Sequence, residues 1–277
     1  MTNKRNIWLT GPYLVWIAGF IILPLLVILF YAFTNPAGNF TFSNITAAVT
    51  DITNIKAFGL TMLLGFLATA ICLLLAYPLA LCLTKLKIKQ KSSVIFLFIL
   101  PMWMNFMLQM VAINVILEDN GIINMLLSSL GLPNMHIANT FGAILIGMVY
   151  DYFPFMLLPI YNTVSRIDKD LINASKDLGA SSFMTFLKVT LPLSMPGVIS
   201  GITMVFVPAI SDFAIAEMLG GGKIMLIGNV VEMSFTKGQY FQGSGLALIL
   251  MLFVVASSLI PGDDEAEASV EGGVVLP

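Results

Sequence analysis

The sequence predicts an all-α protein, a polytopic membrane helical bundle of about six transmembrane helices. Three observations carry that prediction. Of 277 residues, 58% are hydrophobic and only 10% are charged, whereas water-soluble domains carry about 25% charge. Six stretches are apolar over roughly the 20 residues that a helix needs to cross a bilayer. The polar stretches between them alternate in cation content. A water-soluble globule is thereby excluded. The formal net charge of -2 carries no message about nucleic acid, because five of the 15 acids (Asp263, Asp264, Glu265, Glu267 and Glu271) crowd into the C-terminal end.

The first span, Trp8–Phe33, follows Lys4 and Arg5. It is longer than the ~7–15-residue core of a signal peptide, so it reads as retained. Trp8 and Tyr13 suit an interfacial aromatic belt. The second span, Ala57–Leu83, holds both cysteines, Cys72 and Cys82. Ten helical residues separate them by about 15 Å, beyond disulfide reach, and both read as small packing residues. The third span is Val94–Leu117. Its Asn105, Gln109 and Asn114 either hydrogen-bond between helices or line a path. The fourth is Thr140–Tyr161, the fifth Pro196–Met218, and the sixth, Gly245–Ile260, is short. Pro24, Pro78, Pro101, Pro154, Pro159 and Pro208 fall inside spans, where neighbouring helices or water satisfy the freed carbonyls. That suits a packed bundle around a pathway. His136 lies in a polar loop without an obvious partner and reads as an ordinary exposed histidine. No metal-ligand spacing occurs. Residues 1–261 form the transmembrane domain. Residues 262–277 are an acidic, small, aperiodic tail expected to be disordered, and their composition also fits a non-native end.

The cations sort by side. Lys4, Arg5, Lys85, Lys87, Lys89, Lys91, Arg166, Lys169, Lys176 and Lys188 fall on one side of the alternation, and Lys56, Lys223 and Lys237 on the other. The positive-inside rule then puts both termini in the cytoplasm. The polar stretch NASKDLGASSFMTFLKVTLPLSMPGV, which opens at Asn173, becomes part of a cytoplasmic loop. Its first helix, Asp168–Asp177, has an apolar stripe of Leu171, Ala174 and Leu178. Gly179 supplies a helix stop. Ser181 or Ser182 caps a second helix, Phe183–Val189, expected to end before Pro192. Two short helices on a glycine turn make a knob rigid enough to transmit force. The other reading is an amphipathic connector on the membrane surface.

Asn173-Ala174-Ser175, three residues, Gly179, nine residues, then Val189-Thr190-Leu191-Pro192 resembles the EAA coupling motif of ABC-importer permeases, E-A-A, three residues, G, nine residues, I-x-L-P. Asn173 stands in place of the usual glutamate and Ser175 in place of the second alanine. With FTFSNIT (40–46), KDLGAS (176–181), LPLSMPG (191–197) and LGGGKIMLIGNVV (219–231), the chain up to about residue 260 is similar to the B-type permeases of spermidine/putrescine ABC importers. The resemblance implies a type I ABC importer permease fold. It implies a coupling surface of Asn173, Ala174, Ser175, Asp177, Gly179, Ala180, Leu191 and Pro192. It also implies partners: a second, C-type permease, a dimer of ATPase subunits and an extracytoplasmic polyamine-binding protein. No cofactor is expected in this chain, with ATP and Mg in the partner ATPase. The chain has no G-x-x-x-x-G-K-[ST] phosphate loop. It is therefore expected not to be an enzyme and to have no catalytic or metal-binding residues.

Asp151, in the middle of span four, and Asp212 and Glu217, near the outer end of span five, are acids in apolar surroundings. Each costs about 2.5–3.5 kcal/mol at the bilayer centre even on a lenient scale. Either they are structural, protonated or hydrogen-bonded, or they line a path for a cation. No Lys or Arg occurs between 141 and 165 or between 191 and 219 to neutralise them. On a helical rise, Asp212 lies about 7 Å and Asp151 about 16 Å deeper than Glu217. Asp212 and Glu217 lie about 140° apart around a continuous helix, so both can face one pore only if the helix unwinds. Tyr150, Tyr152 and Phe213 beside these acids either attract ammonium groups or pack against lipid and core. The expected function is polyamine import driven from a partner ATPase. The alternatives are a permease of the same fold for another substrate, and an ion-coupled secondary carrier with Asp151 as the coupling site.

Overall fold

The computed structural model describes residues 4–86 and 88–258, with side chains from residue 11 onward except 88–92. The acidic tail expected at 262–277, Lys87, and the side chains of Lys4, Arg5, Trp8, Lys89 and Lys91 lie outside what is described. Among the described residues, six helices are long and apolar enough to cross a membrane. The extended pairing recorded among them is a single bridge, Thr34 to Phe40. The described residues divide into two compact units, 4–58 with Ile227–Phe253, and Gly59–Leu226 with 254–258.

The first unit opens with α1 (Lys4–Ile17), a π turn over Ala18–Ile22, and α2 (Leu23–Ala32). Pro24 offers no N–H to the turn behind it. The helix accommodates this by widening, with Leu23 donating to the Ala18 carbonyl. The FTFSNIT stretch then terminates α2. The Asn44 amide donates to the carbonyls of Tyr31, Ala32 and Thr34 at 3.2, 3.1 and 2.8 Å, satisfying groups that a helix end leaves orphaned. α3 (Ser43–Thr50), α13 (Ile227–Thr236) and α14 (Tyr240–Ser258) complete the unit. Ala48, Ala57, Ile227, Val230 and Leu246 form its core. Gly245 is needed there, since a Cβ would stand 2.7 Å from the Asn44 carbonyl oxygen.

α4 (Ile52–Lys85) runs into the second unit and presents Ala68, Cys72, Ala76 and Ala80, all fully buried, at four-residue spacing. Cys72 and Cys82 are both free, one buried and one exposed. The third span differs from the expected continuous Val94–Leu117. α5 (Ile88–Ile99) passes into a 3₁₀ turn, Leu100–Trp103, and α6 (Phe106–Leu117) starts afresh. Pro101 initiates the break, Asn105 caps α6 by accepting from the Leu108 N–H at 3.2 Å, and the Gln109 amide satisfies the Pro101 carbonyl. Asn105 and Gln109 thus act within their own segment, as local devices.

α7 (Ile122–Ser129) precedes α8 (Phe141–Arg166), α9 (Lys169–Asp177) and α10 (Ser182–Thr185). α10 continues through a π turn, Phe186–Thr190, into α11 (Leu191–Ser211). The second loop helix therefore does not end before Pro192 as expected. The missing N–H of Pro192 is absorbed by the π turn, where Leu191 donates to the Phe186 carbonyl. α8 and α11 make the central packing of this unit through Gly197 and Gly201. Cβ atoms there would meet Thr163 Oγ1 at 2.4 Å and Met156 Sδ at 2.8 Å, the close approach that small residues four apart permit between membrane helices. The fifth span also departs from a continuous Pro196–Met218. It stops at Ser211, and a separate short helix, α12 (Ala214–Leu219), follows.

Candidate functional site

The break between α11 and α12 is built around Asp212, whose backbone is extended (φ -72°, ψ 133°). Its Oδ1 accepts the Ile215 N–H at 3.1 Å, which starts α12. Its Oδ2 accepts the Tyr152 hydroxyl at 2.5 Å. The unwinding that both acids would need to face one pore is therefore present, at Asp212 itself. α12 packs on α8 at Gly147, where a Cβ would lie 2.3 Å from Leu219 Cδ1 and 3.1 Å from Ile215 Cγ2.

Tyr152 is 5% exposed. Its ring lies in the core and its hydroxyl serves Asp212, so its face is not turned to an open path. Asp151, the preceding residue of α8, is half-buried. Phe213, Glu217 and Tyr150 are exposed. The structure thus brings Tyr152 and Asp212 together, with Asp151 next to Tyr152 in the chain, and leaves Glu217 and Tyr150 outside that hydrogen bond. Asp212 and the acid beside its tyrosine partner both lie in stretches, 141–165 and 191–219, without a Lys or Arg. Such an arrangement can neutralise a cation carrying more than one charge.

Sequence reasoning missed a second polar feature. His136 Nδ1 lies 2.6 Å from Asp119 Oδ1, so the histidine read as partnerless has a carboxylate partner 17 positions away. Both line a cavity of about 510 Å³ with Glu118, Asn120 and Lys223. Asn124 fastens this loop, donating to the carbonyls of Glu118 and Met135 at 3.2 and 3.0 Å and accepting from the Met135 N–H at 2.8 Å. No sequence motif marks that pairing.

The loop after α8 is a built knob. Asp168 caps α9 by accepting from the Asp170 N–H at 2.9 Å. Gly179, at φ +83°, closes it. Gly179 donates to the Lys176 carbonyl at 2.8 Å and Ala180 to the Ser175 carbonyl at 3.1 Å, the paired bonds of a Schellman ending. Ser181 caps α10, accepting from Met184 N–H at 3.3 Å. Ser175 Oγ and Thr185 Oγ1, 3.1 Å apart, tie the two helices together. Leu171, Ala174 and Leu178 point away from the chain, as do Asn173 and Asp177, and Leu178 is 90% exposed. A rigid, capped helix pair therefore offers an uncovered apolar stripe. Leu191 and Pro192 stand at the junction with α11 rather than on that stripe.

Residues 76–261 match the family described as binding-protein-dependent transport system inner membrane component. The chain is 36% identical over 229 residues to the spermidine/putrescine transport system permease protein PotB of Haemophilus influenzae, covering 79% of each chain. It is 36% identical over 228 residues to the protein of that name in Escherichia coli, covering 79% of this chain and 82% of the relative. Among solved structures, a bacterial ABC transporter involved in the import of the acidic polysaccharide alginate superimposes with a TM-score of 0.70 at 18% identity, over 92% of this chain and 95% of that one. The alginate transporter in complex with its alginate pentasaccharide-bound periplasmic protein gives 0.69 at 16% identity, over 91% and 93%. These two likenesses concern the fold.

Proposed function

Since this chain belongs to the binding-protein-dependent transport system inner membrane components, as a multi-pass permease subunit of an ABC importer, we propose that it forms part of a polyamine path into the cell. Spermidine and putrescine are the substrates named for its relatives. The observation that carries the reading is Asp212 at the break between α11 and α12, held by the Tyr152 hydroxyl and the Ile215 N–H, with Asp151 next to Tyr152 in α8. Two acids in an apolar setting are stabilised by a multiply charged amine arriving from outside, and the break leaves Asp212 fixed by two donors rather than by a helix.

The driving force comes from a partner ATPase dimer that holds ATP and Mg. Its motion enters through the knob at 165–191, where the uncovered stripe of Leu171, Ala174 and Leu178 is the contact surface. Asn173, Ser175 and Asp177 flank the stripe, and Gly179 and Ala180 fix its angle. A second permease subunit completes the path, and an extracytoplasmic binding protein delivers substrate to the opposite face. Both termini and the knob face the cytoplasm.

Co-purification of the four kinds of subunit and reconstitution into liposomes tests this. Spermidine-loaded binding protein is expected to raise ATP hydrolysis and to drive labelled spermidine into the vesicles, with unlabelled putrescine competing. Stimulation by an anionic substrate and none by either amine would overturn the substrate assignment.

A further inference from the structure

The helix that carries the knob into the membrane has a soft point at its root. In the π turn Phe186–Thr190, Leu191 donates to a carbonyl five residues back, and Pro192 has no N–H to give. Such turns interrupt the regular ladder and are places where helices flex. A push arriving at α10 would be spent in bending this turn unless its two ends were held at a fixed separation.

One side chain from another helix touches both ends. Tyr77 of α4 meets Phe186, the first residue of the turn, edge-on, with ring centroids 5.7 Å apart and planes at 81°. Its hydroxyl lies 2.6 Å from Ser194 Oγ, beyond the last residue of the turn. Ser194 Oγ is in turn 3.0 Å from the Leu191 carbonyl. Ser194 has one hydroxyl proton, which goes to that carbonyl, so the Tyr77 hydroxyl donates to Ser194. The relay ends on the Leu191 carbonyl, at the first residue of α11 after the turn. Tyr77 and Ser194 are buried, Ser194 completely, so no water competes for these bonds. Just before the turn, buried Thr185 is tied to Ser175 of α9. The knob, the turn and α11 thus form one continuous train, with Tyr77 bracing its weakest section.

Resting on the coupling role proposed for the knob, the geometry points to Tyr77 as a positioning residue. It braces the π turn through Phe186 and Ser194, so that motion of the coupling helices moves α11, and with it Asp212, as one body.

The test uses the complete reconstituted assembly carrying Tyr77→Phe, which removes the hydroxyl and keeps the ring. Ser194→Ala and the double variant accompany it, with Tyr13→Phe as a control at an exposed tyrosine of the first span. Two quantities are measured: ATP hydrolysed per spermidine imported, and amide hydrogen exchange across 186–195. Tyr77→Phe is expected to raise the ATP-to-spermidine ratio about fivefold, the factor corresponding to one hydrogen bond of ordinary strength. It also speeds exchange in 186–195 while leaving α8 unchanged. Ser194→Ala raises the ratio at least as much, because it also loses the bond to the Leu191 carbonyl and leaves the Tyr77 hydroxyl without its acceptor. The double variant is no worse than Ser194→Ala alone, because the bond between the two is already gone. An unchanged ratio with unchanged exchange in Tyr77→Phe, in an assembly whose wild type couples normally, overturns the brace alone. Wild-type uptake that needs no ATP removes the coupling role and the brace together.

Discussion

Asp212 shows how one residue can serve the fold and the proposed path at once. Its carboxylate starts α12 through the Ile215 N–H and accepts the Tyr152 hydroxyl. Asparagine keeps an oxygen for one of these donors and loses the charge. Asp212→Asn is therefore expected to lower spermidine uptake about tenfold or more, the scale of one hydrogen bond to a charged group, while the subunits still co-purify. Unchanged uptake would make Asp212 purely structural. The acids themselves were legible, because a carboxylate in an apolar span is costly wherever it occurs. Their surroundings were not. Tyr152 reads equally well as a cation-attracting ring or as packing, and only the fold reveals that its hydroxyl reaches Asp212, 60 positions away. The same holds for His136 and Asp119, which only the folded loop brings together.

At the scale of elements, the glycine-hinged knob was legible residue by residue, because caps and left-handed glycines act locally. Gly179 sits at φ +83° and donates to the Lys176 carbonyl. Proline can do neither, since its φ is fixed near -65° and it has no N–H. Gly179→Pro is expected to abolish ATP-driven uptake while leaving the binding protein's affinity for spermidine intact; full transport would remove the knob from the mechanism. Two proline readings failed, Pro192 as a helix end and Pro101 as tolerated within an unbroken span. Pro192 is carried through by a π turn, and Pro101 breaks a span that reads as continuous, because Asn105 and Gln109 satisfy the severed backbone. Whether a proline ends, bends or widens a helix depends on the groups around it. The α8–α11 crossing yields another prediction. At Gly201 a Cβ already meets Met156 Sδ at 2.8 Å and the Met156 carbonyl oxygen at 3.2 Å. Gly201→Leu overpacks that crossing, a change that costs about 1–3 kcal/mol. It should lower the midpoint of thermal unfolding in detergent, and an unchanged midpoint would mean the helices are not in contact there.

For the whole molecule, the number of spans and the all-α class follow from composition and length, which a bilayer constrains more tightly than water does. The six spans are present, with shifted boundaries. Sidedness rests on the distribution of Lys and Arg, and the cytoplasmic knob of the proposal rests on it. In a chain with Cys72 and Cys82 replaced by alanine, Lys176→Cys should react with a membrane-impermeant maleimide only after the cells are opened. Labelling of intact cells would invert the topology. The proposed permease is a gate worked from its inner face by a partner ATPase. The most direct measurement is spermidine uptake by proteoliposomes holding the full assembly, with either active ATPase subunits or subunits unable to hydrolyse ATP. Uptake that is present with the active subunits and absent with the inactive ones is the predicted result; equal uptake in both would contradict it.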